Sequence, residues 1–280
     1  MPTRNPAVAG TFYPSQPDSL ASLIHRCYLG PLGPGRLPPS PPGTADFVAL
    51  ISPHAGYEYS GGVAAHSYLH ASSLPDPDLL VVVGPNHYGL GSGVSTYGSG
   101  GWKTPLGTLR VDENAVEALT GEAGVVVTDP DSHRMEHSIE VQLPFLQHLY
   151  GDSVPFLPVS LIFQDEENAS AVARGLAAAV RGRRAIVVAS SDFTHYEPAK
   201  SAREKDAALL DAAAKLDVHG FYSALERLQV TACGFGAVAT VMLLAKARGM
   251  KRGEVLKYAT SGDTTGDNLQ VVGYAAMRFT

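Results

Sequence analysis

Two segments share one pattern: Phe47-Val-Ala-Leu-Ile-Ser-Pro-His54-Ala-Gly56 and Leu79-Leu-Val-Val-Val-Gly-Pro-Asn-His87-Tyr88. In each, an uninterrupted apolar run, Phe47 to Ile51 or Leu79 to Val83, leads through a proline to a histidine. Short continuous apolar runs of this kind read as buried strands. Each histidine then stands just past the carboxyl end of a strand, where open α/β sheets bind ligands. A single histidine so placed would serve only to cap a loop. Two in matching contexts point to a metal site, because neutral imidazole is the commonest protein ligand for zinc, copper and iron.

Outward from these segments, apolar runs alternate with helical periodicity. Leu20, Leu23, Ile24 and Cys27 share one face of a helix over about 19–27, which makes Cys27 a packed, inert thiol. Helices are expected near 61–71, 113–119, 136–149, 165–181, 199–215, 218–228 and 235–247. Strands are expected at 125–127, 154–162, 185–189, 255–260 and 269–278, with a hairpin around Trp102, Pro105 and Gly107. This alternation specifies a single α/β domain, residues 1–280, built as a sandwich around a mixed, largely parallel sheet whose last two strands pair antiparallel. Residues 1–45, an arm punctuated by Pro6, Gly10 and Pro14, then a helix and a Pro/Gly-rich loop with the core PPSPP, pack onto it.

The 280 residues, 45% hydrophobic and 17% charged, suffice for one large domain. A net charge of −6, a pI near 5.9 and no basic run longer than Arg181-Gly-Arg-Arg184 argue against a nucleic-acid partner. The most apolar helical stretch, 235–245, is too short to span a bilayer. Two cysteines and no apolar signal core lead to the expectation of a reducing, cytoplasmic setting.

Three further stretches carry candidate chemistry. Ala189-Ser-Ser-Asp192-Phe-Thr-His195-Tyr196 again follows an apolar run, and its Asp-x-x-His step suits a carboxylate that orients an imidazole in the same pocket. Thr231-Ala-Cys233-Gly-Phe-Gly236 places a cysteine at a helix start, where the helix dipole favours thiolate; the alternative is a small apolar filler. In Glu136-His137-Ser-Ile-Glu140, a helix would put His137 and Glu140 on one face as substrate contacts, outer partners of a metal site or metal ligands, or would use them as capping groups.

In this order the motifs RNPAVAGTFYP, SPHAGYEYSG, VVGPNHYG, MEHSIEVQLPFLQ, SSDFTHY, TACGFGA and TSGDTTGD resemble the Memo family over nearly the whole chain. Memo proteins are similar to class III extradiol ring-cleaving dioxygenases. The resemblance implies that fold and a metal centre of His54, His87 and Cys233, with Asp192 and His195 lining the pocket as catalytic groups. Tyr57, Asn86, His137 and Glu140 fall around it. In the dioxygenases a carboxylate fills the third ligand position that Cys233 takes here, and thiolate accepts copper(I) or zinc as well as iron. The expected cofactor is therefore iron or copper, with zinc possible, and the expected partner a small-molecule or peptide ligand. Three activities remain open: oxygen-dependent redox chemistry, ligand binding without turnover, and zinc-dependent hydrolysis.

Overall fold

In the computed structural model, which describes residues 3–38 and 44–280, the chain opens with a two-residue strand β1 (Thr3–Arg4) and a helix α1 (Pro17–Leu29). It continues as β2 (Phe47–Ser52), α2 (Tyr57–Ala71), β3 (Leu79–Pro85), β4 (Val94–Thr96), β5 (Gly101–Thr104), β6 (Gly107–Arg110) and α3 (Glu113–Ala123). Next come β7 (Val127–Thr128), α4 (Leu143–Tyr150), β8 (Phe156–Leu161), α5 (Glu166–Ala179), β9 (Ala185–Ser190) and β10 (His195–Glu197). Helices α6 (Ala199–Ala214), α7 (Val218–Leu228) and α8 (Phe235–Ala247) lead to β11 (Gly253–Thr260), the single turn α9 (Gly262–Thr265) and β12 (Val271–Phe279).

The main sheet runs β10-β12-β2-β9-β3-β8-β4-β7, with β11 also on β12. Its centre, β2-β9-β3-β8, is parallel, and every residue of those four strands is buried, as continuous apolar runs require. Antiparallel pairs of β12 with β2, β10 and β11, and of β4 with β8, make the sheet mixed. Helices α1, α2 and α4 form one layer, with α2 packed on β2 and β12. Helices α3 and α5–α8 form the other, with α8 against β9 and β3. The chain is thus an α/β domain with a mixed sheet. A separate small sheet, β1-β5-β6, joins the amino-terminal arm to the expected hairpin.

Register decides where the histidines go. Ser52 lies opposite Ser190 and Val83 opposite Ala189, so the three strands finish in line and their following loops emerge side by side. Two glycines let other segments close over that edge. A Cβ on Gly84 would stand 2.5 Å from Ser138 Oγ, and one on Gly234 would stand 2.3 Å from the Ser190 carbonyl oxygen.

Two expected elements change. Helix α2 begins at Tyr57, one turn before 61. The helix expected over 136–149 is α-helical only from Leu143, after a 3₁₀ turn at Glu140–Gln142. The Glu136 carboxylate accepts the backbone N–H groups of His137 (2.9 Å) and Ser138 (2.7 Å), and Ser138 Oγ donates to the Pro85 carbonyl (2.8 Å). Side-chain bonds of this kind compete with the helical ladder. Most of the PPSPP core lies outside the described residues. Among the described residues, no helix is long and apolar enough to cross a membrane.

Candidate metal centre

His54 follows β2, His87 follows β3, and Cys233 precedes α8. Their ligand-capable atoms all lie within 4.8 Å of one another, and Cys233 Sγ is 3.2 Å from His54 Nε2. Groups that share one cation through bonds of about 2.0–2.3 Å have this kind of spacing. The two imidazoles meet edge to face at 5.2 Å, so their nitrogens converge from different directions. Gln164 fixes the turn carrying Cys233: its Nε2 donates to the Cys233 carbonyl (2.8 Å) and its Oε1 accepts from Gly236 N–H (2.9 Å).

Each imidazole is held from behind. His87 Nδ1 lies 2.9 Å from Glu136 Oε1, and Glu136 Oε2 also accepts the His87 backbone N–H (2.5 Å). A carboxylate can only accept here, so Nδ1 carries the proton and Nε2 is free to bind a cation, the arrangement that orients metal-ligating histidines. His54 Nδ1 meets Ser190 Oγ at 2.9 Å. Burial, reinforced by His87, His137 and His195, pulls His54 well below the ordinary imidazole range and keeps it neutral. Glu136 is held down to about 2: burial opposes ionisation, but the bond from His87 and the nearby His137 and Ser138 N–H outweigh it.

His87, Glu136 and His137 also cluster within 4.8 Å. Glu136 Oε1 sits 2.9 Å from His87 Nδ1 and 3.6 Å from His137 Nδ1, which makes it the carboxylate behind His87 and not a second cation cage. His137 stacks on His87 at 4.5 Å and meets Phe12 of the arm at 4.8 Å. Burial lowers its pKa to about 4, so it stays neutral at the edge of the site.

Asp192 and His195 are held by different supports. Asp192 Oδ1 accepts the His54 backbone N–H (2.8 Å), and the Asp192 N–H points at Cys233 Sγ (3.3 Å). Burial pushes its carboxyl up to about 6, against hydrogen bonds from His54 and Ala55 and the charges of His195 and His87. His195 takes its orientation from Thr231, not from Asp192: Nδ1 donates to the Thr231 carbonyl (2.9 Å) and the backbone N–H to Thr231 Oγ1 (2.7 Å). Cys233 also departs from expectation. Burial and the Asp192 charge push its thiol well above the ordinary range, overriding the helix start that was expected to lower it. Cys27 is buried, as expected, and raised to about 12.

Three expected outer residues make structural hydrogen bonds. Glu140 accepts from Arg4 Nη1 (2.6 Å), Ala7 N–H (2.7 Å), Val8 N–H (3.0 Å) and Tyr13 Oη (2.5 Å), so both oxygens tie down the arm. Tyr57 is buried against Phe145 and gives its hydroxyl to the Val141 carbonyl (2.7 Å). Asn86 accepts from Tyr88 and Gly89 N–H and donates to the Leu90 and Ser132 carbonyls, which staples the loop that carries His87. Glu136, Ser190 and Thr231, which support His87, His54 and His195, are not singled out by the sequence motifs. Their signal was adjacency: Glu136 precedes His137, Ser190 ends the run before Asp192, and Thr231 opens the cysteine motif.

Fold and site together define an α/β protein with a candidate two-histidine, one-cysteine metal centre at the carboxyl edge of its parallel strands. A family profile described as Memo-like protein matches residues 4–278. Curated MEMO1 family proteins are similar end to end. That of Methanopyrus kandleri is 45% identical over 99% of this chain and 98% of its own. That of Sulfurisphaera tokodaii is 44% identical over 99% of each chain. The chain belongs to the Memo family. A solved structure of an uncharacterized Escherichia coli K12 protein, JW3007, covers 83% of this chain and 99% of its own, at 17% identity and a TM-score of 0.49.

Proposed function

We propose that this protein is a metal-dependent oxidoreductase in which His54, His87 and Cys233 hold one iron or copper ion beside a small-molecule site. The observation that carries the reading is the convergence of the three ligand atoms within 4.8 Å, with a hydrogen-bond partner on the rear nitrogen of each imidazole. Two imidazoles and a thiolate suit iron, copper or zinc better than magnesium or calcium. Such an ion, when bound with open positions, supplies Lewis acidity and, for iron or copper, electron transfer.

The chain's own groups divide the remaining work. His195, with Nδ1–H bound to the Thr231 carbonyl, has Nε2 free to take or return a substrate proton. Asp192 positions the His54 backbone and brings negative charge toward the site, which favours a cation there. His137, stacked on His87 and packed edge to face against Phe12, forms one wall of the site.

The test is anaerobic iron loading followed by oxygen-uptake measurements on a panel of catechols, with wild type, His195→Ala and Cys233→Glu. His195→Ala is expected to retain iron and lose turnover by roughly two to four orders of magnitude, the usual contribution of a positioned acid/base. Equal turnover in wild type and His195→Ala would remove His195 from the chemistry. No uptake by any form would overturn the oxidoreductase reading in favour of ligand binding without turnover.

Metal uptake should also depend on pH with a definite sign. Ligation requires the Cys233 thiolate, and the metal-free thiol lies well above its ordinary range, so binding expels that proton. Affinity is expected to rise roughly tenfold per pH unit between about pH 7 and 9. Glu136, held to about 2, and His54, held neutral, exchange no proton in that window. Competition titrations with a chelator at several pH values check this, and a flat profile contradicts thiolate ligation.

A further inference from the structure

The geometry points to a buried relay, Tyr68–Gln142–Ser190, that fixes the tautomer of His54 and presents its Nε2 toward Cys233. This rests on the reading of His54 as a metal ligand, and it assigns to Ser190 and Gln142 a positioning role. Tyr68 and Ser190 are fully buried and Gln142 is 1% exposed, so water does not compete for their hydrogen bonds.

The proton positions follow from groups that can act in only one way. The Pro53 carbonyl can only accept, so the Gln142 atom 2.9 Å from it is Nε2; Oε1 then receives the Tyr68 hydroxyl. The second Nε2 hydrogen goes to Ser190 Oγ at 2.7 Å. Ser190 has a single hydrogen, and the Ser138 carbonyl, 2.6 Å away, takes it. Ser190 Oγ therefore meets His54 Nδ1, at 2.9 Å, with a lone pair, and only an N–H on that nitrogen completes the bond. His54 Nε2 is left unprotonated, 3.2 Å from Cys233 Sγ. The other tautomer would set two lone pairs against each other in a dry interior, which is costly.

The two imidazoles are thereby held unequally. His87 donates to the carboxylate of Glu136, which raises its basicity as a ligand, whereas His54 donates to a neutral hydroxyl. Ser190 controls the weaker donor.

The test uses histidine-¹⁵N-labelled, metal-free protein and long-range ¹H–¹⁵N NMR, followed by cobalt(II) titration read by the thiolate-to-cobalt charge-transfer band. Wild type is expected to show His54 wholly as the Nδ1–H form. Ser190→Ala is expected to mix the tautomers and weaken cobalt(II) binding by about 10–100-fold, the usual loss when an outer partner of a metal-ligating histidine is removed. Ser190→Thr, which keeps the hydroxyl, should retain the single tautomer, and Glu136→Gln should leave His54 unchanged. An Nε2–H form of His54 in wild type would overturn the relay. So would Ser190→Ala with both tautomer and cobalt(II) affinity unaltered. A tautomer set by Ser190 in a wild-type protein that binds no cobalt(II) would uphold the relay and overturn the metal-centre reading.

Discussion

Alanine at His54, His87 or Cys233 is expected to abolish transition-metal uptake, each change weakening binding by more than the roughly 100-fold upper range for losing an outer hydrogen-bond partner. The three ligand atoms lie within 4.8 Å of one another, so a cation that loses one keeps only two protein donors. The effects are not equivalent in the folded protein. His54 is 1% exposed and lies over the Ser190 hydroxyl, so His54→Ala also opens a polar void, while His87 and Cys233 are more exposed. Metal analysis by mass spectrometry, alongside circular dichroism to confirm folding, measures the outcome. Metal content equal to wild type in folded His54→Ala and His87→Ala would rule out this centre.

Glu140→Ala is expected to destabilise the protein by about 3–5 kcal/mol, the usual result of removing one member of a buried ion pair. Arg4 and Glu140 side chains are 3% and 1% exposed and 2.6 Å apart. Without the carboxylate, the Arg4 charge stays buried on the Trp102 ring with only the His133 and Glu136 carbonyls (both 2.6 Å) and the more distant Asn5 carbonyl (3.2 Å) as acceptors. The Ala7 and Val8 N–H groups and the Tyr13 hydroxyl lose their acceptor at the same time. The arm is then the segment to detach, and it carries Phe12 away from His137. Urea unfolding gives the stability change, and limited proteolysis between residues 4 and 16 reports the arm. A variant within about 0.5 kcal/mol of wild type, the range of an ordinary surface change, would show that the ion pair holds nothing in place.

Spacing puts His137 and Glu140 on one α-helical face, yet Glu136 takes the N–H groups of His137 and Ser138, and the α-helix starts only at Leu143 after a 3₁₀ turn. The side chains that a helix would have aligned separate, one to the cleft and one to the arm. The family resemblance likewise sets Tyr57 and Asn86 around the metal centre. Their hydroxyl and amide go to the Val141 carbonyl and to the backbone of the loop after β3.

The sequence by itself determined the alternation of buried strands with helices, the family, and the placement of His54, His87 and Asp192 just beyond strand ends. Those features are local: an apolar run makes the strand, and the residue two positions past the strand's end has nowhere else to be. It also marked Cys233, because a cysteine between small residues at the start of an apolar helix is a local pattern too. Only the tertiary structure decided how these groups are supported, since each support joins segments far apart in the chain. Glu136 meets His87 across 49 residues, Ser190 meets His54 across 136, and Glu140 meets Arg4 across 136. A hydrogen bond is specified by position and direction to within fractions of an ångström, and no periodicity in a sequence encodes which loops will cross at that precision. The sign of the Cys233 shift was decided in the same way, by burial beside Asp192, a carboxylate from another loop, against the local helix start.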